Sequence, residues 1–397
     1  MADQSDALLD ALALVAPGTP LRQGLDRVLQ AKRGALVVMG DDAAVLAICT
    51  GGFLLDAEFT PQRLSELAKM DGAIVLTADC SRIARANVHL MPRASIPTSE
   101  TGTRHRTAER VARSLDVPVV TVSEAMATVT VYRGAARHTL QQPGRLIDRA
   151  SQAIAAVERF KSRYDVALAL LSTLEVEDTV SVNDVVAVLQ PGEMVVRFTE
   201  EVEGYLVELG EDGRLIRLQI EELGAGVEEA LRLVALDYVA LDHVALDHVV
   251  ADEPEGDEPE GDAAGSRHDG HVADRRRDRH VLNLKQRADA ALAALHGLSH
   301  EDLLGRIAVA GVLGFDPVPG ALDLPVEARG YRLLHRLPRV SDSIIERIVE
   351  RFVTLPQILQ ATLVELEKVG GVGEAKARTV KDGLSRMVEA SILERYE

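Results

Sequence analysis

The chain has 397 residues, 47% of them hydrophobic and 27% charged, and a formal net charge of −18. This is the composition of a folded protein with room for two or three domains, and it excludes a chain too polar to build a core. No run of about 18 residues is free of charge, and MADQSDALLD has no basic region followed by an apolar one, so neither a spanning helix nor a leader is expected and a cytoplasmic location is.

The acidity argues against nucleic acid as a partner until its distribution is considered. Residues 325–397 hold 12 Lys and Arg against 11 Asp and Glu, whereas the remainder holds 32 against 51. Any DNA contact is therefore expected at the C-terminal end. Cys49 and Cys80 have no metal-ligand spacing and are expected to be buried small hydrophobes with free thiols.

In chain order, residues 5–33 predict two helices separated at PGTP. The runs ALVVMG, AAVLAICT, GAIVLT, VPVVTV and ATVTVYR are short, apolar or β-branched and bounded by Gly, Asp or Pro, which predicts strands. Helical patterns at TPQRLSELAKM and TAERVARSL lie between them, so residues 1–144 are expected to form an α/β domain around a central mixed sheet. ANVHLMPRASIPTSE predicts an irregular segment that wraps a base against Leu90 and Met91, with His89 packed in the core.

Residues 145–324 predict an all-α linker interrupted by an insertion over 240–282. There VALDYVALDHVALDHV repeats every five residues, a period of neither helix nor strand, and EPEGDEPEGD follows. Acidic low-complexity sequence of this kind cannot bury enough apolar surface to offset its ordering entropy, so the insertion is expected to be disordered. Its histidines, His243, His248, His268, His271 and His280, are spread among solvated acids and predict a linker rather than a metal site.

Two stretches carry chemistry. Asp71, Gly72 and Ala73 stand at the entry of a predicted strand, where Asp-Gly is also an ordinary turn. SETGTRHRTAER places Arg104, His105 and Arg106 where a helix begins. A helix start carries roughly half a positive charge, so each cation there is disfavoured by about 0.3–1 kcal/mol unless an anion offsets it. Ser99, Thr101 and Thr103 offer hydroxyls and N-caps, Gly102 permits close backbone approach, and guanidinium groups suit phosphate oxygens. The expected anion is a nucleotide triphosphate, bound without a P-loop.

DGA followed about thirty residues later by GTRHRTAER, with ANVHL and SIPTSE between, closely resembles the DisA family of bacterial DNA integrity scanning proteins, which are diadenylate cyclases. The resemblance extends through the helical linker and the C-terminus and leaves only 240–282 unmatched. It implies condensation of two ATP into cyclic di-AMP with release of two pyrophosphates, across cyclase domains that face each other in a homo-octamer. On the positions that match, it implies that Asp71 binds Mg²⁺ or Mn²⁺ or removes the 3′-hydroxyl proton. Thr103, Arg104, His105, Arg106 and Thr107 would hold the phosphates. Gly72 and Leu90 would line the nucleoside pocket, and Ser123 would touch the nucleotide. It further implies branched DNA such as Holliday junctions as a partner that lowers cyclase output, and the recombination ATPase RadA as a second.

At the C-terminus, LVELEKVGGVGEAKARTVKDG sets Gly371 and Gly373 between two helical patterns, with Lys376, Arg378 and Lys381 following. That spacing resembles a helix-hairpin-helix motif whose backbone N–H groups meet a DNA phosphate. LPRVSDSIIERIVERFVTLPQIL upstream looks like its degenerate partner, so residues 325–397 are expected to be a helix-hairpin-helix domain. A nucleotide-binding DNA repair scaffold without cyclase activity is the alternative, and a nuclease is disfavoured because no carboxylate set accompanies the hairpin.

Overall fold

The computed structural model describes residues 2–240 and 284–394. The chain divides into two compact units, Met1–Ile154 with Glu200–Glu221, and Ala155–Thr199 with Glu222–Glu397. The 241–282 part of the expected insertion, with its five histidines, lies outside the described residues.

The first unit opens with α1 (Ala2–Leu14) and α2 (Pro20–Gln30), separated as PGTP predicts. Thr19 caps α2 by accepting a hydrogen bond from Arg22 N at 3.1 Å, and Pro20 occupies the first helical position. Strand β1 (Ala35–Met39) follows, and it is buried at every residue because both its faces are covered. Ala35, Val37 and Met39 pack with Leu25 and Leu64, while Leu36 and Val38 pack with Val111 and Ala112. A strand with two buried faces reads as an unbroken apolar run.

AAVLAICT departs from the expected strand. Ala43–Ala47 is a short helix, α3, because the Asp42 carboxylate accepts from Val45 N at 2.8 Å, and only Cys49–Thr50 (β2) is extended. Strand β3 (Phe53–Glu58), helix α4 (Pro61–Leu67), strand β4 (Ala73–Leu76) and strand β5 (Arg82–Leu90) come next. ANVHL therefore belongs to β5, not to an irregular segment. Helix α5 (Thr103–Leu115) precedes β6 (Val119–Ser123), β7 (Thr128–Arg133) and β8 (Ala136–Thr139). The order is β2-β5-β4-β1-β6-β7-β8 with β3 also on β5, and the parallel β1/β4 pair among antiparallel neighbours makes the sheet mixed.

Helices α6 (Pro143–Glu177) and α7 (Val182–Leu209) contain two of the three points at which the chain passes from one unit to the other, and the third falls within the next helix. Helix α8 (Arg214–Gly224) follows and then α9 (Val227–Tyr238). Across the undescribed stretch come α10 (residues 284–297), α11 (His300–Leu304) and α12 (Arg306–Val312). The described residues of the linker are mostly helical, as the 3.6-residue periodicity predicts. Among the described residues no helix is long and apolar enough to cross a membrane.

The second unit contains a buried ionic cluster. The Arg332 guanidinium donates to both oxygens of Glu175, one at 3.1 Å, and to Ser172 Oγ at 3.0 Å. Tyr238 Oη donates to Glu175 Oε1 at 2.8 Å. The Asp237 carboxylate accepts from the N–H groups of Gly330, Tyr331 and Arg332 at 2.7–3.0 Å, capping α13 (Tyr331–His335) from a distant helix. Arg329 in turn donates to the carbonyls of Leu236, Asp237 and Val239 at the end of α9. Burial and the Glu175 charge raise the Asp237 carboxyl above its ordinary range, against the pull of those N–H groups and Arg332.

The chain ends in α14 (Asp342–Phe352), α15 (Leu355–Gln360), α16 (Leu363–Glu367) and α17 (Glu374–Glu394). The turns α13/α14 and α16/α17 share a backbone pattern. Arg339 has φ +64 between Pro338 and Val340, and Gly371 has φ +80 between Gly370 and Val372. An arginine thus occupies the left-handed position that glycine favours.

Candidate active site

The Asp71-Gly72 turn feeds β4 while pressed against β5. Gly72 has φ +101, and a Cβ there would stand 2.9 Å from the Asn87 carbonyl carbon and 3.0 Å from Val88 O. Both obstacles are backbone, so only glycine fits. The Asp71 side chain points outward and is 97% exposed.

Helix α5 begins at Thr103 with Gly102 as its N-cap, and no side chain caps it. The hydroxyls of Ser99, Thr101 and Thr103 do not serve as the expected caps. The preceding loop is held the other way: the buried Glu109 accepts from Thr98 Oγ1 at 2.5 Å and from Ser99 N at 3.1 Å. Arg110 and Arg113 donate to the Ile96 and Pro97 carbonyls at 2.9 and 3.0 Å. With the loop clamped, the first-turn N–H groups of Thr103, Arg104 and His105 are left for an outside acceptor.

These elements enclose a cleft of about 700 Å³, within the range of small-molecule sites. Asp71, Gly72, Ala73, Leu90, Thr103, Arg104, His105, Thr107 and Ser123 all line it. Arg106 is exposed and does not. His89 is not a core residue: the alternation of β5 buries Val88 and turns His89 into the cleft.

Arg104 Nη2 lies 3.6 Å from Asp71 Oδ1, and its guanidinium rests on the backbone of Gly34. A Cβ at Gly34 would fall 2.2 Å from Arg104 Nη1, so a larger residue must displace the guanidinium. Gly34→Ala is expected to weaken polyphosphate binding about tenfold, the loss of roughly one charged hydrogen bond, with the melting temperature little changed. Titration calorimetry with ATP reads this, and unchanged affinity would detach Arg104 from the ligand.

His105 is fixed from behind. Its Nδ1 lies 2.8 Å from Tyr132 Oη and 3.1 Å from Thr121 Oγ1, with the two rings edge to face. Tyr132 Oη donates to Glu100 Oε1 at 2.9 Å, and Arg137 Nη1 pairs with the same oxygen at 3.0 Å. Burial pulls His105 below its ordinary 6.5; Glu100 opposes this, while Arg137 and Arg104 add to it. Sequence reading missed Glu100, Thr121, Tyr132 and Gly34. The aromatic-β-branched run TVTVYR is an ordinary strand signal, and KRG before an apolar run is an ordinary turn.

Among the described residues no group of three or more His, Cys, Asp or Glu is arranged to hold a metal. Asp71, a carboxylate open to the cleft, instead fits an ion shared with nucleotide phosphates, the arrangement that Mg²⁺ favours.

Fold and cleft together define a nucleotide-accepting α/β domain followed by a helical module. Residues 22–136 match the DAC family, described as "DisA bacterial checkpoint controller nucleotide-binding", and residues 140–252 match DisA-linker, "DisA bacterial checkpoint controller linker region". Relatives named DNA integrity scanning protein DisA include that of Frankia alni, 45% identical over 98% of this chain and 98% of its own. That of Streptomyces coelicolor is 47% identical over 99% of this chain and 95% of its own. The chain belongs to the DNA integrity scanning protein DisA family. A match to a solved structure of DacA from Staphylococcus aureus covers 36% of this chain and 91% of that one at 19% identity, with a TM-score of 0.26.

Proposed function

We propose that the chain is a diadenylate cyclase that condenses two ATP into cyclic di-AMP and two pyrophosphates, under the control of DNA bound at its C-terminus. The observation that carries this reading is one cleft uniting an exposed carboxylate, a guanidinium and an uncapped helix start. The first-turn N–H groups, Thr103, Thr107 and Arg104 bind the triphosphate and stabilise charge that develops on the leaving pyrophosphate. Leu90 and Gly72 pack the nucleoside and Ser123 contacts it. Asp71 serves the attacking 3′-hydroxyl, either by taking its proton or by holding Mg²⁺ or Mn²⁺, which would lower the pKa of the attacking hydroxyl. Each cleft holds one ATP, so two copies must face each other, and the exposed Arg106 and Asp71 are available across such a pairing. An octamer satisfies this need.

The proposed domains are a cyclase domain over 1–144, a linker over 145–324 and a helix-hairpin-helix domain over 325–397. Gly371 is required by its own backbone, since φ +80 disfavours any side chain and a Cβ would lie 2.9 Å from Arg347 Nη1. Gly373 differs: a Cβ there would meet nothing within 4 Å, which leaves the turn open to a phosphate. Lys376 and Arg378 are exposed beside it. Lys381 contributes less than its position suggests, because its ammonium donates to the Leu359 and Ala361 carbonyls at 2.8 and 2.7 Å. Branched DNA such as a Holliday junction is the proposed ligand, with RadA as a proposed protein partner.

The test of the main reading is the formation of cyclic di-AMP from ATP with Mg²⁺ or Mn²⁺, with and without a four-way junction. ATP binding without product would support a nucleotide-binding scaffold instead. Gly371→Val is expected to weaken junction binding about tenfold or more, roughly one or two phosphate contacts, while cyclase activity without DNA persists. Gel-shift titration over a salt series checks it, and equal loss of both activities would mean misfolding.

A further inference from the structure

Tyr132, Glu100 and Thr121 stand behind the cleft, and their hydrogen bonds determine where His105 carries its hydrogen. Tyr132 has one hydroxyl hydrogen and donates it to Glu100 Oε1 at 2.9 Å. Burial and the Glu100 charge raise the phenol pKa, so that hydrogen stays in place. The Tyr132 oxygen, 2.8 Å from His105 Nδ1, must therefore accept, which puts the imidazole hydrogen on Nδ1. With Nδ1 committed to β6 and β7, Nε2 is the ring nitrogen left for the cleft that His105 lines. In the neutral ring this Nε2 is bare and cannot donate to a phosphate oxygen; in the protonated ring it can.

We propose that Tyr132 and Glu100 are positioning residues that hold His105 with its hydrogen on Nδ1, so that Nε2 takes up a proton as polyphosphate enters and passes it to the departing pyrophosphate. This rests on the cyclase reading. In the step, the 3′-oxygen forms a bond to the α-phosphorus and the bond from that phosphorus to pyrophosphate breaks. The hydroxyl proton goes to Asp71 or solvent, the Nε2 proton goes to the pyrophosphate oxygen, and the ring returns to neutral. The charges facing the ring are Arg104 on α5, Arg137 on β8 and Glu100 on the loop; Asp71, His89 and Glu124 line the same cleft. Without ligand, burial and the two arginines keep the ring neutral against Glu100. A polyphosphate offsets Arg104 and adds negative charge, which favours the imidazolium.

The experiment titrates ATP calorimetrically into the full chain at about pH 8, where an ordinary histidine is neutral, in buffers of different ionisation enthalpy. Net proton uptake on binding is expected. Glu100→Gln keeps the shape and removes the charge, so uptake should fall and the alkaline limb of kcat should move down by about 1 pH unit, with KM little changed. Tyr132→Phe should lower kcat about 10- to 100-fold, as loss of an orienting partner does. If Glu100→Gln lowers activity equally at every pH and leaves proton uptake as in the unaltered chain, the pair only packs the site and the proposal is overturned. An unaltered chain that cycles ATP without proton uptake overturns it too, whatever the variants do. Proton uptake without cyclic product would contradict the cyclase reading and with it the transfer step.

Discussion

Asp71→Asn is expected to lower cyclic di-AMP formation by at least about 100-fold while the chain stays folded and still binds ATP. The carboxylate has no structural task to lose. It is 97% exposed, and its ion pair with Arg104 at 3.6 Å is a surface contact of about 0–1 kcal/mol before screening. Asparagine has nearly the same shape but cannot take a proton and is a weaker ligand for a hard cation, so either role proposed for Asp71 fails. Product formation with Mg²⁺ and with Mn²⁺, ATP affinity and melting temperature should be measured together. Near-normal turnover would remove Asp71 from the chemistry, and parallel loss of affinity and turnover would make it a binding group.

What could be read from the sequence follows from what each segment buries. β1, β4, β6 and β7 are largely buried along their length, so their apolar runs announce strands directly. β3 and β5 had no such signal: Phe53–Glu58 is exposed almost throughout, and β5 carries Arg82, Arg85 and His89 among its residues. Missing β5 as a strand also misplaced His89, since alternation from the buried Val88 turns it outward. The short run at Ala43–Ala47 carried an Asp42 cap, a stronger helix signal than its apolar content was a strand signal.

The site divides the same way. DGA and RHR are legible because each carries its own local requirement, a backbone that only glycine allows and cations set against a helix start. Their meeting in one cleft was expected only through family resemblance. The bond between Glu100 and Tyr132 spans 32 positions and joins a loop to a strand, so no local pattern marks it. Gly34 is likewise silent, since its reason for being glycine is a guanidinium from α5.

Arg332→Met is expected to be the most destabilising of these changes in the second unit, by about 3–5 kcal/mol, the range for removing one partner of a buried ion pair. The Arg332 and Glu175 side chains are 5% and 1% exposed, so water cannot replace the lost guanidinium. Among the described residues Glu175 would keep the Tyr238 hydroxyl, and Ser172 Oγ would exchange its 3.0 Å donor for the longer contact with Arg336 Nη1 at 3.5 Å. Asp237 would keep its three N–H donors and yet lose the cation that moderates its repulsion with Glu175. Pairing Arg332→Met with Glu175→Gln should recover most of the loss, because a buried charge rather than a missing contact dominates the cost. Urea unfolding of the two single variants and the double variant measures the coupling between these sites. A loss below about 1 kcal/mol in Arg332→Met, or no recovery in the double variant, would show that the cluster is solvated in solution and does not hold α13 to the linker helices.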